Sequence, residues 1–191
     1  DNVIVSTDDD EIAEVAKKYG AQVPFLRPKS ISDDYTSTVK VVAHSIEAFK
    51  KDGFKIDSVC CIYATSPFVQ ANDINKSLDI LKTEVLDYCF SVTSYEFPIQ
   101  RSIRITKNMR CEVLQPKMIS QRSQDLEEFY HDAGQFYWGM ADAWLQDRPI
   151  FSKFSYPYLI PRYRVQDIDN EEDWVRAEIM QNVLIKKNIL T

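Results

Sequence analysis

Residues 58–63 read Ser58-Val59-Cys60-Cys61-Ile62-Tyr63, a continuous apolar run with no alternation of polar and apolar positions. Such a run is typical of a strand in a parallel sheet that helices cover on both faces. Helical periodicity flanks it at 36–51 and at 72–82, where apolar residues recur every three or four positions. The run therefore predicts an α/β fold in which this strand is central.

The alternation of strand and helix extends outward in both directions. Residues 3–7 form a β-branched run typical of a buried strand, and an Asp8 to Glu11 capping pattern starts a helix over 9–19 that Gly20 closes. A short strand at 22–25 and another at 88–93 continue the alternation. We therefore expect a Rossmann-like, doubly wound and mostly parallel sheet.

The alternation of strands and helices stops after residue 93. Two short β-prone segments, 103–105 and 111–114, flank a turn at Lys107-Asn108, which predicts a hairpin that leaves the main sheet. Two interpretations remain open: the hairpin is a dimerisation arm, or it packs on its own subunit, because an isolated hairpin is marginally stable. We assign 94–130 to this excursion.

The chain then returns to the main fold. A strand is predicted around 134–139, a short helix at 141–146, a strand at 156–160 and a final amphipathic helix through Trp174 and Leu184. Residues 1–191 are long enough for one domain with a sizeable core, and we expect a single domain.

Composition and charge exclude several classes of protein. The chain has 45% hydrophobic residues and a formal charge of −6, so it predicts no nucleic-acid surface. It has neither an apolar run of membrane-spanning length nor a signal peptide, which predicts no membrane partner and a cytoplasmic location. Four scattered cysteines without Cys-x-x-Cys spacing favour reduced thiols.

Asp167-Ile168-Asp169 is the first candidate for chemistry. If 158–168 is largely extended, both carboxylates face the same way and could share a hard cation such as Mg²⁺. The alternative is a helix N-terminus, in which Asn170 and Asp173 form a capping box and the acids offset the helix dipole. The tripeptide alone favours the capping interpretation.

Other polar stretches also have two interpretations. Thr65 and Ser66 follow the apolar run at the end where α/β folds bind ligands, or they only satisfy a strand-to-helix turn. The loop from Arg27 to Thr38 ends at a helix N-terminus, which suits anion contacts as well as capping. Arg101 and Arg122 could grip a substrate carboxylate, or they form ordinary surface salt bridges.

The chain resembles the acylneuraminate cytidylyltransferases, and within them the branch that makes CMP-pseudaminic acid. The resemblance runs from the first residue to the last. It rests on 3–8, on Phe25-Leu26-Arg27-Pro28 and on the run through Thr65-Ser66-Pro67-Phe68. Its most specific part is Arg122-Ser123-Gln124-Asp125-Leu126 followed by the block from Tyr130 to Gly139. Asp167 and Asp169 match the family's metal-binding pair.

The resemblance implies the nucleotide-diphospho-sugar transferase type of fold and a homodimer. It also implies a reaction in which the anomeric hydroxyl of a nonulosonic acid attacks the α-phosphate of CTP. The catalytic residues implied are Asp167 and Asp169, which would hold the cofactor Mg²⁺, and Arg122. Contacts to CTP are implied for Asp8, Arg27 and Thr38. Contacts to the sugar are implied for Thr65, Ser66, Gln100, Arg101, Gln124, Tyr130, His131 and Phe136.

Departures from the family pattern favour pseudaminic acid over N-acetylneuraminate. Sialic-acid enzymes carry Gln-Pro where this chain has Tyr63-Ala64, and a Lys where it has Gln100-Arg101. The family's opening strand and glycine-rich phosphate loop have no counterpart here, so we expect either an inactive chain or a sequence that lacks its N-terminal unit. The alternatives are an N-acetylneuraminate or legionaminate enzyme, a transferase for another nucleotide, and a noncatalytic binding module.

Overall fold

Helices and strands alternate along residues 2–189, which are the residues that the computed structural model describes. The strands are β1 (Ser58–Ile62), β2 (Tyr88–Ser94), β3 (Ile103–Ile105), β4 (Cys111–Val113), β5 (Tyr130–Met140) and β6 (Ser155–Leu159). The helices are α1 (Asp10–Lys18), α2 (Thr38–Lys51), α3 (Ala71–Thr83), α4 (Pro116–Ile119), α5 (Ala141–Leu145) and α6 (Glu171–Lys186). These bounds confirm the predicted alternation.

The main sheet is mixed, with the strand order β1-β5-β2-β6. β2 pairs with β6 in parallel, whereas β5 runs antiparallel to both β1 and β2. Three of these four strands therefore share one direction, as expected of a doubly wound fold. The strand pairing is less parallel than predicted. β5 lies between β1 and β2, and this position makes two of the three strand pairings antiparallel.

β1 is not the central strand that its apolar run predicts. Within residues 2–189 it pairs only with β5, and Ile62 at its end is 48% exposed. The central place belongs to β5, which is 11 residues long and pairs on both sides. An apolar run indicates that a strand is largely shielded from solvent, but it does not indicate how many other strands that strand pairs with.

The N-terminal segment is extended but irregular. Instead of a regular strand at 3–7, isolated parallel bridges join Ile4 to Gln22 and Thr7 to Leu26. The helix cap also differs from the prediction: Asp9, not Asp8, accepts the hydrogen bond from the Ile12 amide at 2.9 Å. Gly20 closes α1 with a positive φ of 91°, as predicted.

The core lies between the sheet and helices α2 and α5. Val42 and Ile46 of α2 pack against Tyr88 and Phe90 of β2, and Trp144 of α5 completes the cluster with no exposed surface. Gly139 of β5 is required there, because a Cβ would collide with the rings of Trp144 and Tyr88. This packing holds α2 and α5 on one face of the sheet.

A smaller cluster holds α6 in place. Phe68, in the loop after β1, is 1% exposed and packs with Ala177 and Leu184 of α6. Ile168 and Met180 pack against the same cluster. The loop after β1 is therefore tied to the segment that carries Asp167 and Asp169.

The hairpin is confirmed as a separate two-stranded sheet. β3 and β4 pair antiparallel, and Arg104 faces Glu112 across them with N···O at 2.8 Å. The turn uses Met109 with φ of 55°. Its function as a dimerisation arm stays a prediction. In the described part of the chain, no helix combines the length and the apolar character that crossing a bilayer requires.

Candidate active site

A polar cleft of about 630 Å³ lies at one end of the main sheet. It is bounded by the carboxyl ends of β1, β2 and β6 and by the start of the antiparallel β5, which is the edge where open α/β sheets bind ligands. Five carboxylates and two arginines are among the residues that line it, together with His131, Tyr63 and Tyr137. The carboxylates are those of Glu96, Asp132, Asp167, Asp169 and Asp173, and the arginines are Arg162 and Arg176.

The carboxylate pair reaches this cleft from a loop and not from a strand end. β6 stops at Leu159, and a 3-10 turn at Arg162–Arg164 follows Pro161. Alternation then restarts: Arg164 and Gln166 are each 7% exposed, whereas Asp167 and Asp169 are exposed and line the cleft. Residues 158–168 are therefore not one extended stretch, which corrects the assumption made from the sequence. Both carboxylates nevertheless line the same cleft.

A buried ion pair anchors the start of this segment. The Arg164 guanidinium donates to Asp73 at 2.6 Å, and both side chains are less than a tenth exposed. The Tyr158 hydroxyl donates to the second oxygen of Asp73 at 3.1 Å. Because Asp73 lies in the first turn of α3, the helix dipole also favours its charge. The segment before the carboxylate pair is thereby fixed to the body of the fold.

The predicted capping box is confirmed, and it is formed by Asn170 and Asp173, which follow the tripeptide. The Asn170 side chain accepts from the Asp173 amide at 3.1 Å, and Asp173 accepts from the Asn170 and Asp169 amides. The capping box thus uses neither the Asp167 nor the Asp169 carboxylate. Among residues 2–189, no group donates a hydrogen bond to the Asp169 side chain, and the Asp167 carboxylate accepts only from the adjacent Ile168 amide.

These two open carboxylates fit a hard cation. Mg²⁺ prefers oxygen donors and is commonly held by one or two carboxylates, with substrate phosphates and waters completing its shell. Gly134 makes room for the pair, because a Cβ at its φ of 63° would lie 3.3 Å from Asp167 Oδ2. No cluster of three or more His, Cys, Asp or Glu side chains arranged to hold a metal is found in residues 2–189. The magnesium site stays a prediction, and the donor set is compatible with it.

Asp132 differs from the open pair because protein donors hold both of its oxygens. The Gly134 amide donates to Oδ1 at 3.0 Å, and the Tyr137 hydroxyl donates to Oδ2 at 2.5 Å. Burial, followed by this hydrogen bond, raises the pKa of Tyr137 far above its usual value. The Tyr137 hydroxyl therefore stays protonated at physiological pH. Protein donors thus hold Asp132 and the capping residue Asp173, whereas Asp167 and Asp169 stay open.

Three of the sequence-predicted site residues, His131, Asp167 and Asp169, line the cleft together. Thr38 lies next to it, since its hydroxyl is 2.8 Å from that of Tyr63, a residue of the cleft lining. Arg27 lies in the N-terminal part of the fold, where it contacts Asp8 at 3.2 Å and Ser32 at 3.0 Å. Asp8 and Arg27, which are both predicted to contact CTP, therefore contact each other.

Four predicted sugar-pocket residues lie outside the cleft lining. Thr65 and Ser66 form the turn after β1, where the Ser66 hydroxyl donates to the Tyr63 carbonyl at 2.5 Å. Gln100 is 7% exposed and donates to the Glu127 carbonyl, and Phe136 is completely buried against Tyr158. The turn interpretation accounts for Ser66. Sugar contact by these four residues stays a prediction, and burial does not favour it for Phe136.

The remaining predicted residues lie on the excursion at 94–130. The Arg122 side chain is 72% exposed and its nearest acid is Asp125 at 3.8 Å. Arg101 donates to the Gln121 carbonyl, Gln124 lies beside Arg122, and the Tyr130 hydroxyl donates to Glu128 at 2.7 Å. In this chain alone these four side chains do not line the cleft.

Several residues of the cleft lining were missing from the sequence-based prediction. Asp132 and Tyr137 lie inside the block that carried the resemblance, and Tyr63 ends the apolar run, so position could have indicated all three. Arg162, Arg176 and Glu96 follow no spacing rule. They reach the cleft only because the loop after β6, α6 and the loop after β2 converge there.

Comparison with known proteins identifies the family of this chain. A family model described as Cytidylyltransferase matches residues 1–138. The chain belongs to that family. This cytidylyltransferase is 39% identical, over 96% of the chain and 79% of the relative, to a pseudaminic acid cytidylyltransferase of Campylobacter jejuni subsp. jejuni. It is 28% identical, over 93% of the chain and 77% of the relative, to a CMP-N,N'-diacetyllegionaminic acid synthase of Legionella pneumophila.

The fold is shared with a solved structure, CMP:2-keto-3-deoxy-manno-octonic acid synthetase complexed with CTP. The TM-score is 0.62, with 95% of this chain and 82% of that chain covered, at 11% sequence identity. At this identity the likeness concerns the fold alone. It confirms the α/β nucleotidyltransferase architecture, and the family match confirms the resemblance to cytidylyltransferases.

Proposed function

We propose that this cytidylyltransferase transfers the cytidylyl group of CTP to a nonulosonic acid, with pseudaminic acid as the preferred acceptor. The products would be a CMP-sugar and pyrophosphate. The observation that carries the proposal is the identity of 39% and 40% to two pseudaminic acid cytidylyltransferases across 96% of the chain. The position of the polar cleft, at the carboxyl ends of β1, β2 and β6, supports it. We also propose the cytoplasm as the place of the reaction, as the sequence predicts.

Within this proposal, Asp167 and Asp169 would hold Mg²⁺. The bound ion would neutralise charge on the triphosphate and help align the displacement at the α-phosphate. The balance of charge supports a cation, because carboxylates outnumber arginines in the cleft lining while both substrates are anionic. The Arg164 to Asp73 pair would keep the two carboxylates in place, and Arg27, Asp8 and Thr38 would contact the nucleotide.

The acceptor hydroxyl must face the α-phosphate while the sugar is held on the other side of the cleft. His131, Asp132 and Tyr137 line the cleft from β5, and we assign the sugar to them. These residues are on or next to a long central strand, so their positions depend on a rigid element. They would orient the sugar and exclude water from the reacting face.

We also propose a homodimer formed through the excursion. Large apolar side chains on and beside the hairpin are exposed, including Ile105 at 63%, Met109 at 75% and Leu114 at 54%. Monomeric proteins rarely expose such a group of side chains together. Arg122 and Arg101 extend from the same excursion, and Arg122 is exposed and does not line the cleft of its own chain. We propose that it enters the cleft of the partner.

The reaction is tested by incubating the protein with CTP, Mg²⁺ and each candidate acceptor while pyrophosphate release is measured. We expect release with pseudaminic acid to exceed release with N-acetylneuraminate or legionaminic acid. A preference for either of these overturns the acceptor assignment, and faster reaction with UTP or GTP overturns the nucleotide assignment. CTP binding without turnover for any acceptor indicates a noncatalytic module.

A further inference from the structure

One wall of the cleft is built from His131, Asp132 and Tyr137, which we term the Asp132 wall. All three residues lie on β5 and line the same cleft. The Asp132 carboxylate does not resemble the open pair, because the Gly134 amide and the Tyr137 hydroxyl fix both of its oxygens. A carboxylate with this degree of fixation presents its remaining lone pairs in set directions.

The direction of each hydrogen bond in the wall follows from the groups involved. An ionised carboxylate only accepts, so the single hydroxyl proton of Tyr137 points at Asp132 Oδ2. The Tyr137 oxygen is then left with lone pairs and no proton to offer a ligand. Toward the cleft, Asp132 therefore acts only as an acceptor, and the buried Tyr137 serves to orient it.

His131 also carries a hydrogen-bond acceptor. Its Nδ1 lies 2.8 Å from the Asp132 carbonyl oxygen, and a carbonyl can only accept, so Nδ1 carries the proton. In the neutral ring, Nε2 is consequently an acceptor. The ring is held against Tyr95, with centroids 4.8 Å apart. His131 and Asp132 thus present hydrogen-bond acceptors, and Tyr137 holds the Asp132 carboxylate in place.

We infer that the Asp132 wall recognises N–H and O–H donors on the acceptor sugar, and that Asp132 determines which sugars are accepted. This inference rests on the proposed function and adds the orientation of the sugar within the cleft. The anionic carboxylate of a nonulosonic acid is repelled by Asp132, so the amide and hydroxyl groups of the sugar face the wall. Asp132 would then bind the sugar, and the open pair Asp167 and Asp169 would suit the cation.

The test combines a protein variant with a change in the sugar. Asp132→Asn keeps the shape of the side chain but replaces an acceptor oxygen with a donor. We expect the KM for the acceptor sugar to rise about 10- to 100-fold, with the KM for CTP within about twofold, because a site built for donors discriminates strongly when its polar groups are unpaired. Asp79→Asn, the same change on the exposed face of α3, should alter neither constant.

A second variant separates positioning from general loss of structure. Tyr137→Phe removes the donor that orients Asp132, and we expect it to raise the KM for the sugar by a smaller factor than Asp132→Asn. Tyr88→Phe is the matched control, because it also deletes a hydroxyl hydrogen bond from a buried tyrosine, but to the Arg148 carbonyl at the other end of the sheet. A thermal unfolding curve for each variant checks that all remain folded.

Acceptor analogues that lack one amide or hydroxyl donor complete the experiment. The wild-type protein should lose about 10-fold or more in kcat/KM with the analogue that lacks the recognised donor, whereas Asp132→Asn should lose little further. If the wild-type protein turns over its sugar and Asp132→Asn retains the same KM, the inference about the wall is wrong and the proposed function stands. If the wild-type protein turns over no nonulosonic acid with CTP, the proposed function and the inference both fall.

Discussion

Two concave regions of similar size lie at opposite ends of the same strands. The polar cleft, of about 630 Å³, opens at the carboxyl ends of β2 and β6. The second region, of about 590 Å³, opens at their amino ends and is lined by Val85, Leu86 and Phe154, with Asp87 and Arg148 as an ion pair. The two regions therefore do not differ in volume. They differ in the chemistry of the residues that line them.

The difference lies in how the charged groups are satisfied. At the amino ends, Asp87 accepts from Arg148 at 2.5 Å, and the remaining lining is largely apolar. At the carboxyl ends, Asp169 has no hydrogen-bond donor to its side chain among residues 2–189 and shares the cleft with Asp167. Two open carboxylates on one cleft have the donor chemistry that a hard cation prefers. We therefore propose that the amino-end region serves stability and that the carboxyl-end cleft serves chemistry.

The strongest test of this division is the ion pair that supports the cleft. Asp73→Asn should lower the free energy of unfolding by about 3–5 kcal/mol, because it leaves the Arg164 charge buried without its partner. Urea unfolding measures the loss. Replacing both residues with apolar side chains of similar volume should recover most of it. A loss below about 1 kcal/mol for Asp73→Asn would contradict the role that we give to burial of this pair.

The open pair should show the opposite behaviour, with a large loss of activity and little loss of stability. Asp167→Asn or Asp169→Asn should reduce pyrophosphate release about 100-fold or more, since several kcal/mol of charge stabilisation depend on the cation. Calorimetric titration with Mn²⁺ should show weakened binding. Neither variant should shift the unfolding midpoint downward, because few protein donors are lost.

Glu172→Gln is the control for this pair. Glu172 is an exposed acid in the first turn of α6, close in sequence to Asp169 but outside the cleft lining. It should retain both activity and Mn²⁺ binding. Retention of full activity by Asp167→Asn would remove the distinction between the two ends of the sheet.

Local signals in the sequence predicted most of the elements. The Asn170 to Asp173 capping box, the Gly20 helix end and the hairpin around Lys107-Asn108 all depend on residues within a few positions of each other, and the structure confirms them. The direction of three strands was also predicted, because alternating strands and helices restrict the topology.

The position of β5 could not be predicted in the same way. Its insertion between β1 and β2 depends on pairing between residues far apart, such as Cys60 with Trp138, for which no local pattern exists. The cleft has the same limitation. Their spacing made Asp167 and Asp169 candidates, whereas Arg176 reaches the cleft through the packing of α6 on Phe68. Contacts of high sequence separation determine both.

Gly134 offers a test of how closely the open pair is positioned. Gly134→Ala places a side chain at positive φ, which costs about 1–2 kcal/mol, and its Cβ would press on Asp167 Oδ2. Gly53→Ala is a matched control, because Gly53 has a φ of 84° but open space around it. Both variants should lose stability in thermal unfolding. Only Gly134→Ala should also weaken Mn²⁺ binding, and equal Mn²⁺ affinity in the two would show that Asp167 tolerates displacement.

The smallest effect is expected at the amino ends of the strands. Asp87→Asn removes the ion pair with Arg148, whose side chain is 41% exposed, so solvent screening limits the loss to about 0.2–1 kcal/mol. The Tyr88 hydroxyl still donates to the Arg148 carbonyl and keeps that loop attached. Pyrophosphate release should be unchanged, because no group that lines the polar cleft is altered. A large loss of activity without unfolding would mean that the two ends of the sheet are coupled, and the division between a stabilising region and a reactive cleft would then be wrong.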